Sequence, residues 1–126
     1  MYIALDGDFV GRKIETLILA ERLDELFMYN QLVSNTILAI EELIKSHDGQ
    51  IFLCGGDNIL AYDEKYTETI DFLSKFNLQS IDLQFSVGYA SNVKLSYFAL
   101  KYAKRYESGK IIHMYINNNE IMIEPH

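Results

Sequence analysis

The chain has 126 residues, 49% of them hydrophobic, and a formal net charge of −7. This length and apolar content fit one domain, residues 1–126, with a core of its own, and the charge argues against a general nucleic-acid coat, which needs a basic footprint. Its single cysteine, Cys54, allows no intramolecular disulfide, and no apolar run is long enough to span a bilayer, so a cytoplasmic protein without a membrane or stable nucleic-acid partner is expected. The N-terminus enters a strand directly and does not read as a signal peptide.

Met1 to Leu5 reads as a buried strand, and Asp6 to Gly11 as a loop opening toward a helix. Helical patterning then runs from Arg12 to Ser46, with a break between Ala20 and Asp24. Leu23, Leu26, Phe27, Val33, Ile37, Ile40 and Ile44 recur there at helical spacing. His47-Asp48-Gly49 reads as a turn, with Gly49 suited to a left-handed cap. Gln50 to Tyr62 reads as a hairpin around Gly55-Gly56-Asp57-Asn58. Tyr66 to Phe76 is patterned as an amphipathic helix, with Ile70, Leu73 and Phe76 on one side. Leu83 to Ala90 reads as a strand and Lys94 to Glu107 as a helix whose apolar side is Leu95, Phe98, Ala99, Tyr102 and Tyr106. Ile111 to Ile116 and Glu120 to Ile123 read as strands around an Asn117-Asn118-Asn119 turn. This order predicts an α+β fold: a ferredoxin-like β-α-β-β-α-β core with an extra helix and a C-terminal hairpin. Its sheet is mixed, mainly antiparallel, with helices on one face.

Three constellations point to chemistry. Asp6 ends the first strand and Asp57 sits at the hairpin tip, and those two strands are neighbours in a ferredoxin-like sheet. Either motif alone is an ordinary Asp-Gly turn. Jointly they suit a hard divalent cation, Mg²⁺ or Mn²⁺, which takes oxygen ligands and shares them with substrate phosphates. Asp8-Phe9-Val10-Gly11 leads into a helix, whose N-terminal amides attract phosphate, while Asp8 also reads as the helix cap. Lys94, Lys101, Lys104, Arg105 and Lys110 concentrate positive charge late in an acidic chain, either against a triphosphate or as a solvated helix face. Cys54 reads as a buried core residue, and His47, His113 and His126 lack zinc-ligand spacing.

Four segments together resemble a known family: Leu5-Asp6-Gly7-Asp8-Phe9-Val10-Gly11, Gly55-Gly56-Asp57-Asn58, Ser86-Val87-Gly88-Tyr89-Ala90 and Ala99-Leu100-Lys101-Tyr102-Ala103-Lys104. The chain resembles the palm domain of nucleotidyl cyclases and CRISPR-type polymerases, and most of all the minimal CRISPR polymerase family (mCpol). The last two segments are similar to the late strand and helix of GGDEF diguanylate cyclases. The resemblance implies that Asp6, Asp57 and the Gly7 carbonyl hold metal. It implies that the Gly7 to Gly11 loop, with the amides of Phe9, Val10 and Gly11, holds a triphosphate beside Gly55 and Gly56. Lys104 would contact the β- or γ-phosphate, with Lys101 as a helper.

The implied activity is synthesis of cyclic nucleotides from nucleoside triphosphates, in antiviral defence, with a separate cyclic-nucleotide effector protein. One palm holds one triphosphate, so joining two nucleotides implies a homodimer with the hairpin tips near its interface. Two positions depart from the pattern. Asn58 stands where related palms often carry a second aspartate, and bears on either metal or nucleotide. Arg12-Lys13-Ile14-Glu15 replaces the guanine-contacting Asn-Asp pattern of diguanylate cyclases, which leans the expectation toward ATP. The alternatives are a hydrolase resembling GTP cyclohydrolase III, a degenerate palm that senses nucleotide, and a ferredoxin-like interaction domain.

Overall fold

The computed structural model of the chain describes residues 1–105 and 109–126. Its elements in chain order are β1 (Tyr2–Gly7), α1 (Val10–Leu19), α2 (Leu23–Ser46), β2 (Gln50–Cys54), β3 (Asn58–Tyr62), α3 (Tyr66–Gln79), β4 (Phe85–Ala90), α4 (Val93–Ala103), β5 (Ile111–Asn117) and β6 (Glu120–Pro125). They form a six-stranded open sheet in the order β2-β3-β1-β4-β5-β6. The first four strands pair antiparallel, β5 joins β4 in parallel, and β6 returns antiparallel beside β5. The fold is the expected α+β palm: a β-α-β-β-α-β core from β1 to β4, extended by α4 and the β5–β6 hairpin.

Side chains alternate across a strand, so each strand serves two faces. On one face Ile3, Leu5, Ile59, Phe85 and Val87 pack against Val10 and Leu17 of α1, Val33, Ile37, Ile40 and Ile44 of α2, and Ile70 and Leu73 of α3. On the other, Ala90, Ile112 and Met114 pack against Leu95, Ala99 and Ala103 of α4. The expectation of helices on one face therefore holds for the core and is corrected for α4, which covers the opposite face. Gly88 is the local reason. A Cβ there would stand 2.2 Å from the Leu100 backbone nitrogen and 2.4 Å from the Ser96 carbonyl oxygen. Without that side chain α4 lies directly on β4, and it also supplies the crossover that a parallel β4–β5 pair requires.

The break between α1 and α2 falls where expected. Glu21 takes a left-handed φ of 56°, and the Arg22 N–H donates to the Leu17 carbonyl at 2.9 Å. At the end of α2 the left-handed residue is Asp48 (φ 58°), not Gly49. The Gly49 N–H donates back to the Ile44 carbonyl at 3.0 Å, which makes the turn a Schellman cap. Glycine is needed at 49 for proximity, since a Cβ would lie 2.8 Å from the Tyr62 carbonyl oxygen.

Other boundaries move. α3 continues past Phe76 to Gln79. α4 begins at Val93, capped by Asn92, whose Oδ1 accepts from the Leu95 N–H at 2.9 Å, and it ends at Ala103. Tyr106 and Glu107, expected in this helix, lie outside the described residues. Leu23 and Phe27 are exposed, and burial in α2 begins at Tyr29. At 1.5 Å per residue the 24 residues of α2 span about 36 Å, against about 20 Å for a six-residue strand, so its first turns overhang the sheet. Phe98, expected on the apolar side of α4, is half exposed. Cys54 is exposed on the edge strand β2, contrary to expectation, because β2 has a neighbour on one side alone. Partial burial, then the hydrogen bond and charge of Glu41, raise its pKa to about 11, which keeps the thiol neutral.

Adding a methyl group at the α4–β4 contact forces backbone apart. Gly88→Ala is expected to destabilise the fold by roughly 3 kcal/mol, read from urea unfolding.

His113 stacks on Tyr89 at 4.7 Å and meets the Tyr115 ring at a tilt at 5.0 Å, and its buried Nε2 has no hydrogen-bond partner among the described residues. Burial lowers its pKa from 6.5, opposed by Glu124. The neutral ring is thus the form the fold favours. Stability is full above pH 6.5 and falls as the pH drops through the lowered folded value. His113→Phe should flatten this part of the thermal-midpoint profile between pH 7 and 5.

Candidate active site

β1 lies between β3 and β4, so Asp6 is flanked by Asn58 on one side and Ser86 on the other. It shares a strand face with Ala4, which pairs with Gly88, so Asp6 opens toward α4. The hairpin turn brings Asp57 to the same end of the sheet. The Gly7 N–H donates to the Asp57 carbonyl at 2.8 Å, and the Gly55 N–H to the Asn58 carbonyl at 2.9 Å. These backbone bonds fix the tip against the end of β1.

The carboxylates of Asp6 and Asp57 meet there within hydrogen-bonding reach. Burial first, then the charge of Asp6 and a hydrogen bond with it, raise the pKa of Asp57, while Lys104 pulls it down. Two half-buried like charges held together are unfavourable unless a proton or cation joins them. Lys104, one residue past α4, sets its Nζ 3.1 Å from Asp6 Oδ2 and 3.7 Å from Asp8 Oδ1.

Asp8 is not the helix cap. Its side chain is 7% exposed and turned inward. Ser86 Oγ donates to Asp8 Oδ1 at 2.6 Å, and the Gly109 N–H donates to Oδ2 at 2.8 Å. The cap position of α1 belongs to Phe9, in a left-handed conformation (φ 59°), with no side-chain cap and no acidic residue in the first turn. Bulky residues rarely adopt that conformation, and such strain gathers at functional sites. The consequence is an α1 N-terminus, formed by Val10 and Gly11, whose amides face no protein carboxylate of that turn. A cavity of about 260 Å³ adjoins it, lined by Asp8, Phe9, Lys13, Tyr29, Ile81, Asp82 and Gln84, and another of about 410 Å³ lies farther along α1, between it and α2, around Leu17, Tyr29 and Leu32.

The remaining expected site residues divide. Asn58 is at the site, with its amide over the turn: Nδ2 reaches Asp57 Oδ1 at 3.5 Å, and a Cβ on Gly55 would meet its Oδ1 at 2.7 Å. Gly56 borders open space. Lys101 points elsewhere, its ammonium 5.1 Å from the Tyr97 ring centre, and Lys94 lies over Phe98. Of the basic cluster read from the sequence, Lys104 is the member whose ammonium meets the carboxylates, while Lys94 and Lys101 lie over aromatic rings of α4. Three contributors carried no assigned role in the sequence: Ser86, Tyr29 and Asn77. Ser86 is a small hydroxyl in an otherwise apolar strand. Tyr29 is buried, and burial, then Asp57 and Asp82, raise its phenol pKa. Asn77 is a buried amide in the apolar stripe of α3, and it exchanges hydrogen bonds with both backbone groups of Phe85.

Residues 2–114 match the family described as the minimal CRISPR polymerase domain, mCpol. The chain belongs to the mCpol family. That membership carries a polymerase-like function, and the match spans both acidic strand ends and Lys104. No curated protein matches the chain. Among the described residues of this mCpol domain, no three His, Cys, Asp or Glu side chains converge as a metal cage. None of its helices there is long and apolar enough to cross a membrane.

Asp57 links the stability of the free protein to pH through its raised pKa. The folded state binds its proton more tightly than the unfolded chain, so the ligand-free fold loses stability as pH rises from 3.8 through the raised value. Asp57→Asn removes that penalty. It should raise the thermal midpoint of the free protein at pH 7, with the gain shrinking toward pH 3.

Proposed function

We propose that this mCpol domain is a nucleotidyltransferase that joins nucleoside triphosphates, ATP favoured, into cyclic di- or oligonucleotides. The observation that carries this reading is the Asp6–Asp57 carboxylate pair, with Lys104 beside it and an α1 N-terminus that has no side-chain cap and no acidic residue in its first turn. An acyl or glycosyl substrate has no use for that combination. A triphosphate uses all of it: its anionic oxygens suit Lys104 and the amides, and the carboxylates would hold the divalent cation that accompanies it.

The donor set suits Mg²⁺ or Mn²⁺. Two carboxylates of hard oxygen, one with its pKa raised by burial and then by the other, suit a divalent cation and leave room for water and phosphate ligands. Asp6, Asp57 and the Gly7 carbonyl would hold it, and it would supply Lewis-acid stabilisation of the attacking and leaving oxygens. The chain's own groups do the rest. The amides of Phe9, Val10 and Gly11 orient the triphosphate, and Lys104 neutralises charge on the departing pyrophosphate. Asn58 holds the Gly55–Asp57 turn in shape and adds no charge. A homodimer would bring two triphosphates together. The product would act in the cytoplasm, in antiviral defence, on a separate effector protein.

A nucleotide-sensing palm is the second reading. It is favoured by Asn58, whose neutral amide leaves the site two acidic residues at the hairpin and strand tips. Incubation with each labelled triphosphate and Mn²⁺, followed by mass spectrometry, separates the possibilities. Pyrophosphate and a joined cyclic product are expected, with Asp6→Ala, Asp57→Ala and Lys104→Ala each slowing turnover roughly 100-fold or more. Binding without turnover points to the sensor, and an opened base or released phosphate without joining points to a hydrolase similar to GTP cyclohydrolase III. Absence of pyrophosphate release with all four triphosphates would sink the synthase reading.

A further inference from the structure

Asp8 is the charged residue at this end of the sheet that the proposed chemistry leaves without a task, and its surroundings assign one. Both carboxylate oxygens are already engaged: Oδ1 accepts from Ser86 Oγ at 2.6 Å and Oδ2 from the Gly109 N–H at 2.8 Å. Its own N–H donates to the Gln84 carbonyl at 2.8 Å. With its side chain 7% exposed, it is neither a free phosphate-loop residue nor an open metal ligand.

Its partners come from segments distant in the chain. Ser86 belongs to β4. Gly109 precedes β5 and has a φ of +82° that side-chain-bearing residues rarely adopt. The Gly109 carbonyl accepts from Asn77 Nδ2 at 3.2 Å, and the same nitrogen donates to the Phe85 carbonyl at 2.9 Å. One buried amide on α3 and one buried carboxylate after β1 therefore grip Gly109 from both sides. Lys104 stands between Asp6 and Asp8, with Asp8 Oδ1 3.7 Å from its ammonium.

We infer that Asp8 is a positioning residue, which ties Gly109 and Lys104 to the loop that opens α1. Asp6 alone cannot fix Lys104 during the reaction, because the same carboxylate is needed for the cation and the substrate. Asp8 can, since its hydrogen bonds do not change when the site fills. Lys104 and the α1 amides then address the same triphosphate from fixed directions. Loss of that registration costs turnover far more than it costs binding, since small displacements of a charge from the leaving group weaken its effect on the transition state. The inference rests on the triphosphate reading of the site, although the tether itself is a property of the free protein.

Asp8→Asn and Asp8→Ala separate geometry from charge. The Asn oxygen can accept from Gly109 while Ser86 turns its hydroxyl to accept from the amide, so the Gly109 tie survives while the ion pair with Lys104 is lost. Asp8→Ala abolishes both. Turnover of Asp8→Ala should fall roughly 10- to 100-fold with KM nearly unchanged, and Asp8→Asn should recover the part of that loss that runs through Gly109. Combining Asp8→Ala with Lys104→Ala should cost little beyond Lys104→Ala alone, because one acts through the other. Fully additive losses, or a rise in KM alone, would overturn the inference.

Hydrogen exchange of the Gly109 amide supplies a readout independent of activity. It should be protected in the free wild type and in Asp8→Asn, and exposed in Asp8→Ala at unchanged circular dichroism. An unprotected wild-type amide refutes the tether. If the wild type neither binds nor converts a triphosphate, the synthase reading fails, and the exchange result alone decides whether Asp8 holds Gly109.

Discussion

The meeting of Asp6 with Asp57, and of Lys104 with Asp6, is the interaction on which the rest of this structure depends. Two like charges at one end of a sheet repel each other, and Lys104, 3.1 Å from Asp6 and 3.7 Å from Asp8, offsets that repulsion in the free protein. Lys104 is delivered by α4, and α4 can lie close enough only because residue 88 is glycine. The hairpin tip is delivered by the Gly7–Asp57 backbone bond. Thus the late strand and helix, which touch no acidic tip in sequence, exist in this fold to bring one ammonium to two strand ends.

That arrangement is unevenly balanced, and the imbalance has a direction. Asp8 is satisfied by neutral donors and could stand as it is. Asp57 is not, since burial and Asp6 both push its proton affinity up. The free protein therefore holds a carboxylate pair that a proton, a metal or a metal-bound phosphate relieves. Stability is given up at the place where function would use it, a common trade in enzymes. The buried hydrophobic layers on both faces of the sheet make this strain affordable.

Much of this could be read from the residues. The order of elements, the break near Ala20 and the hairpin follow from short-range patterns with few alternatives, and the Asp6–Asp57 encounter follows from the ferredoxin-like order they imply. What failed to be legible depends on long-range contact. Lys101 and Lys104 have the same chemistry and sit three residues apart, and only packing decides that one reaches Asp6 while the other covers Tyr97. Gly49 looks like a left-handed cap, yet Asp48 takes that conformation, and glycine at 49 answers instead to the Tyr62 carbonyl that a Cβ would meet. Cys54 has a core composition around it and an edge position in fact. Leu23 and Phe27 keep a perfect helical period where α2 has run past the sheet that would bury it.

Asp8 illustrates the same limit in a functional residue. In sequence it is a capping aspartate before a helix, and any propensity argument puts its carboxylate on the α1 amides. Ser86 and Gly109, 78 and 101 residues away, compete for that carboxylate and win. The competition leaves Phe9 at the cap in a left-handed conformation, with no side-chain cap and no acidic residue in the first turn of α1. On the triphosphate reading proposed above, a helix end suited to an anion would thus be produced by moving an aspartate away, and the residue that moved would anchor the opposing cation. The acidic loop and Lys104 would then be two sides of one electrostatic device, set by a carboxylate turned away from solvent.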